Sequence, residues 1–121
     1  MRALIVDDSR SIRGYLRLLL EKQGIECVEA ENGQAAFTAI EQHGLCDIAL
    51  VDLNMPVMGG LECVKTMRSL PAMDSMKIMM VTTETDHTLI EAALEAGADE
   101  YLMKPFDSDA LTGKLQMIGI V

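Results

Sequence analysis

Two short stretches constrain this chain more than any other feature. Ala3-Leu4-Ile5-Val6 and Ile48-Ala49-Leu50-Val51 are apolar at every position, and each stops abruptly on a carboxylate. A run of that length without alternation reads as a strand buried on both faces, which demands layers of structure above and below it. Asp7-Asp8 follow the first run and Asp52 the second, so acids stand at the C-terminal tips of strands. In open parallel sheets ligands bind at that edge, because the loops leaving it splay into a crevice at the topological switch point. Asp52 is therefore read as the reactive group, although aspartate is also a common turn residue after a strand.

The intervening segments supply the covering layers. Ser9 caps a helix in which Ile12, Leu16 and Leu19, with Tyr15 and Leu20 beside them, recur at helical spacing up to Gly24. Ile25 to Ala30 alternates as a short strand, and Asn32-Gly33 turns into a helix bearing Ala36, Phe37 and Ile40 that ends near Gly44. Beyond Met55-Pro56 and Gly59-Gly60, which read as loop, Leu61, Val64 and Met67 form the stripe of a third helix ending before Pro71. Lys77 to Thr82 is a fourth strand, ending on the hydroxyls of Thr82-Thr83. Asp86 or Thr85 caps a helix with Leu89, Ile90, Ala93 and Leu94, closed by Gly97. Asp99 to Met103 is a fifth strand running into Lys104-Pro105. A last helix runs from about Asp107 through Leu111, Leu115 and Ile118, weakened by Gly113 because glycine inside a helix costs roughly 1 kcal/mol. This alternation predicts an α/β fold: a doubly wound, five-stranded parallel sheet with right-handed crossovers, flanked by five helices. No linker or repeat interrupts it, so residues 1–121 are expected to form one domain.

Charge and cysteine usage narrow the function. A formal net charge of −9 argues against binding a nucleic-acid backbone, which needs clustered Lys and Arg, and favours a cation or a basic partner patch. Cys27, Cys46 and Cys63 form no C-x-x-C pair, so they read as small buried hydrophobes in a reducing compartment. Without a signal-type or membrane-length apolar segment, the expected location is the cytoplasm, with no membrane insertion.

Strand tips one, three, four and five carry Asp7-Asp8, Asp52, Thr82 and Lys104, which a parallel sheet brings to one edge. Singly these are ordinary caps and turn residues; jointly they are the groups needed to handle a phosphoryl dianion. Three crowded carboxylates repel one another unless one takes up a proton or a divalent cation holds them ionised. Mg²⁺ suits such a site, since it prefers oxygen ligands, and a carbonyl from the loop after Asp52 can complete the set. With the metal and Lys104 neutralising charge, the Asp52 carboxylate can attack phosphorus, and the Thr82 hydroxyl can donate to a phosphoryl oxygen.

These residues stand in the pattern Val6-Asp7-Asp8-Ser9, Asp52-Leu53-Asn54-Met55-Pro56-Val57-Met58-Gly59-Gly60, Val81-Thr82 and Gly97-Ala98-Asp99 leading to Tyr101-Leu102-Met103-Lys104-Pro105-Phe106. The pattern resembles, over essentially the whole chain, the receiver domains of two-component response regulators, most closely the single-domain CheY-like members. That resemblance implies a flavodoxin-like strand order 2-1-3-4-5. It implies Asp52 as the phosphoacceptor served by a histidine kinase or phosphotransfer protein, with Asp7, Asp8, Asp52 and the Asn54 carbonyl holding Mg²⁺. Lys104 then contacts the phosphoryl group, and Thr82 and Tyr101 form a switch. Asn54 and Glu84, two residues beyond Asp52 and Thr82, tune dephosphorylation. The output is expected on the face of the fourth helix, fifth strand and fifth helix, where a downstream target protein binds, possible pathways including chemotaxis. The Lys104-Pro105 bond is expected to be cis. Gly59, where many relatives carry Asp, departs from the pattern and bears only on the start of the third helix.

Rival readings meet chemical objections. A flavodoxin-type electron carrier needs a hydroxyl- and glycine-rich anion cradle after the first strand, where Asp7-Asp8 would repel an unmetalled phosphate. A Mg²⁺-dependent phosphatase needs an acid/base two residues after the nucleophile, and the amide of Asn54 cannot shuttle a proton. A phosphorelay intermediate, or a receiver cut from a longer regulator, keeps the same site.

Overall fold

The computed structural model describes residues 1–83, 85 and 87–121. Five strands, β1 (Arg2–Val6), β2 (Glu26–Ala30), β3 (Ile48–Val51), β4 (Lys77–Thr82) and β5 (Glu100–Met103), form one sheet in the order β2-β1-β3-β4-β5, all pairs parallel. The helices are α1 (Arg10–Glu21), α2 (Gly33–His43), α3 (Gly60–Arg68), α4 (His87–Ala96) and α5 (Ser108–Met117). Fold class, strand order and helix number agree with expectation; β2 and β5 each begin one residue later than read. A 3-10 turn at Pro71–Met73 was not foreseen, since three residues carry no period to detect.

The unbroken apolar runs behave as their patterning demands. In β1, Ala3 and Ile5 face one side with Leu16, Leu19 and Leu20 of α1 and Leu111 and Leu115 of α5. Leu4 and Val6 face the other, among Ala36 of α2, Val64 and Met67 of α3 and Ala93 of α4. Period-two alternation thus sends neighbouring residues of one strand into two separate cores, which is why no polar residue interrupts the run. All three cysteines are buried and free, as expected. No helix among the described residues is long and apolar enough to cross a membrane.

Local chemistry fixes where the helices begin. Ser9 accepts the Ile12 N–H at 3.3 Å, Asn32 the Ala35 N–H at 2.8 Å and Asp107 the Ala110 N–H at 2.8 Å, each satisfying a donor that the first helical turn leaves open. Gly59 stands at the N-cap of α3 and, lacking a side chain, offers no such bond. Of the two residues proposed to cap α4, Asp86 lies outside the described residues. The α1 helix is followed by Gly24 with φ of 78°, a left-handed stop.

Candidate functional site

Every strand except β2 delivers a chemically active residue to the same sheet edge. The ladder continues one residue past β1, where Asp7 N–H donates to Ala30 O at 3.1 Å, and past β3, where Asp52 N–H donates to Val6 O at 2.9 Å. Both carboxylates are therefore fixed by backbone bonds at the sheet's end, Asp7 2% and Asp52 7% exposed, while Asp8 is open to solvent. Oxygens from Asp7, Asp8 and Asp52 lie within 4.8 Å of one another.

Each carboxylate oxygen of Asp7 has its own partner. Oδ1 accepts the Ser9 N–H at 2.8 Å and Oδ2 the Lys104 ammonium at 2.7 Å. The ammonium stands farther from Asp52, 3.6 Å from Oδ2. The Lys104 N–H continues the ladder to Thr82 O at 2.9 Å, and the Lys104–Pro105 peptide is cis, as expected. Burial pushes the Asp52 carboxyl above its ordinary range against the pull of Lys104, and Asp7 adds to the rise; the Asn54 N–H and the Thr82 hydroxyl, both donating to it, oppose the rise. A carboxylate so poised is partly desolvated yet directed, which suits a nucleophile.

The loop behind Asp52 is held close by glycine. A Cβ on Gly60 would stand 2.2 Å from Asp52 O and 2.7 Å from Leu53 Cα, so α3 can begin against the β3 tip only without a side chain there. Val57, exposed in the same loop, adopts φ of 68°, a left-handed conformation unusual for a β-branched residue.

Asp7, Asp8, Asp52, Thr82 and Lys104 thus meet at one edge. Asn54 joins them through its N–H, with its side chain exposed. Tyr101 does not join the carboxylates. It pairs with Met80 in the sheet while Thr82 pairs with Met103, so Tyr101 and Thr82 share a face two rungs apart. Glu84 lies outside the described residues. Sequence reasoning missed Arg13, which donates to Asp7 O at 2.7 Å and to Glu29 at 3.0 Å, and so ties α1 and β2 to the acidic tip. Its only signal was its place one turn past the Ser9 cap.

Three oxygen donors of one sign, with a single ammonium beside two of them, match what a hard divalent cation requires, and the cluster could hold a metal ion. The class so defined is a doubly wound α/β domain that presents a buried carboxylate, Asp52, within an acidic cluster at the C-terminal edge of its sheet. The chain belongs to the response regulator receiver domain family, whose sequence pattern matches residues 3–116. It is 36% identical over 119 residues to the chemotaxis protein CheY1 of Helicobacter pylori, covering 98% of this chain and 96% of that protein. It is 38% identical over 117 residues to a chemotaxis protein CheY homolog of Campylobacter jejuni, covering 96% of this chain and 90% of that one. The crystal structure of chemotaxis protein CheY4 of Vibrio cholerae superimposes with a TM-score of 0.89 at 35% identity, covering 97% of each chain. A receiver of this family is a signalling switch.

Proposed function

We propose that the chain is a single receiver domain over residues 1–121 that takes a phosphoryl group onto Asp52 from a histidine kinase or phosphotransfer protein, and that it signals through a changed surface. The observation carrying this reading is the Asp7, Asp8 and Asp52 cluster, with Lys104 bridging Asp7 and Asp52. Asp7, Asp8, Asp52 and the Asn54 carbonyl would hold Mg²⁺, which when bound supplies the positive charge that lets carboxylate and phosphoryl oxygens approach.

The protein's own residues perform the transfer. An Asp52 carboxylate oxygen forms the new bond to phosphorus as the bond to the donor's imidazole nitrogen, or to an acyl oxygen, breaks, and the leaving group keeps that electron pair. Lys104 neutralises charge gathered on the phosphoryl oxygens, and Thr82, already donating to Asp52, is placed to donate to one of them. Asn54 and Glu84 orient the water that later attacks the acyl phosphate. The downstream target binds the face of α4, β5 and α5. Chemotaxis is the favoured pathway, supported by relatives that are themselves chemotaxis proteins and are covered over 96% and 90% of their lengths. The reading also includes a cytoplasmic location, and it includes no nucleic-acid partner, the latter supported by the net charge of −9.

Incubation with acetyl phosphate followed by peptide mass spectrometry tests the assignment. Modification is expected at Asp52 only, in Mg²⁺ but not in excess chelator, and absent from Asp52→Asn. A phosphoryl group on another residue, or one formed equally well in chelator, overturns it.

A further inference from the structure

β5 is an edge strand, and its first two residues are tied to α5 through one oxygen. Glu100 Oε1 accepts the Tyr101 N–H at 2.9 Å and the Lys114 ammonium at 3.1 Å. The same ammonium stands 4.6 Å from the centroid of the Tyr101 ring. One carboxylate oxygen therefore holds both the backbone of Tyr101 and the cation that covers its ring. Side-chain exposure is 15% for Glu100 and 27% for Lys114, so the pair is partly desolvated, where a cation over an aromatic face gains most.

We infer that Lys114 is a positioning residue for Tyr101, holding the ring in the orientation seen until the ring turns inward towards Thr82. This rests on the reading of Tyr101 as the switch residue. In the inferred inward state the ring leaves the ammonium, whereas Lys114 keeps its bond to Glu100. The cation–ring contact therefore exists in one state only, and only such differential contacts bias an equilibrium. Lys114 also lies in the last turn of α5, where any cation complements the helix dipole. A purely helix-stabilising lysine would leave the ring where it is.

The experiment is NMR of the Tyr101 ring in the resting protein and during titration with beryllofluoride, a phosphoryl mimic, in Mg²⁺. In resting Lys114→Met the ring signals should move towards those of the beryllofluoride-bound wild type, with a stronger nuclear Overhauser contact to the Thr82 methyl. The beryllofluoride midpoint should fall by roughly two- to fivefold, the ratio for losing a partly exposed cation–ring contact. Lys114→Arg, which keeps the cation, should match wild type, and Glu100→Gln, which frees the ammonium, should shift the ring in the same sense. An unmoved ring contact in both resting Lys114→Met and resting Glu100→Gln overturns the inference while leaving phosphorylation at Asp52 untouched. A ring that moves in Lys114→Met in a protein whose wild type ignores beryllofluoride supports the latch and counts against the proposed function instead.

Discussion

Asp52 is held in the folded protein with its carboxyl above the ordinary range, chiefly because burial penalises its charge. A carboxyl with a raised native pKa is bound by its proton more tightly folded than unfolded. Stability therefore falls as pH rises from the ordinary aspartate value through the native one, and the loss is complete above it. Asp52→Asn, measured without divalent metal, should accordingly melt higher than wild type at neutral pH, and the gain should vanish at pH below the ordinary aspartate value. A lower melting temperature at neutral pH would mean that the Asp52 charge is compensated in the fold. Val57 offers a second test. It is 75% exposed, so its side chain buries little, while its φ of 68° strains a β-branched residue. Val57→Asn should stabilise by about 1 kcal/mol in denaturant unfolding, since asparagine tolerates that conformation, and Val57→Ile should not. The acids, Thr82 and Lys104 were legible because strand tips name their own location. Val57 and Arg13 were not, because a loop's path and a long side chain's reach depend on tertiary neighbours.

At the scale of elements, two glycines in helices have opposite meanings that the sequence alone does not separate. Around Gly113, in α5, nothing lies within 4 Å of a Cβ position, whereas at Gly60 that position is occupied by the backbone of Asp52 and Leu53. Gly113→Ala should therefore raise unfolding free energy by about 1 kcal/mol. Gly60→Ala should lower it by roughly 1 to 3 kcal/mol and, by pushing the β3 tip aside, also slow phosphorylation. Equal effects of the two substitutions in denaturant titrations would contradict the close approach of α3 to Asp52. The apolar stripes placed every helix, and the cap residues placed three starts, because these signals are local. The 3-10 turn is too short to carry a period, and the Arg68 brace is not local: Arg68 donates to Met73 O and Gly97 O, both at 2.9 Å, and to Asp99 at 3.1 Å, joining segments distant in sequence.

At the scale of the whole molecule, the proposed function has one covalent event at Asp52 converted into a different surface around β5. Its topology was legible, since strand and helix periods alternate along the chain. The resting contacts of the switch were not, and they decide how far it can move. Driving a two-state equilibrium from 1:99 to 99:1 takes about 5.5 kcal/mol of differential interaction. A hydrogen bond to a charged group contributes roughly 1.5 to 3 kcal/mol, so Thr82 and Lys104 together barely reach that figure even if both contacts were wholly new. They are not new, because Thr82 already donates to Asp52 and Lys104 already holds Asp7 at 2.7 Å. Only the difference between states counts, so the phosphoryl group alone should shift Tyr101 incompletely, leaving a target protein to complete the change. Thr82→Ala and Lys104→Ala should each still accept phosphate on Asp52 while showing a smaller displacement of the Tyr101 ring and α4 amide signals with beryllofluoride, and the double variant should show almost none. Full-sized displacements in both single variants, or complete conversion of the wild type without a partner, would mean that the signal reaches β5 by contacts other than these two.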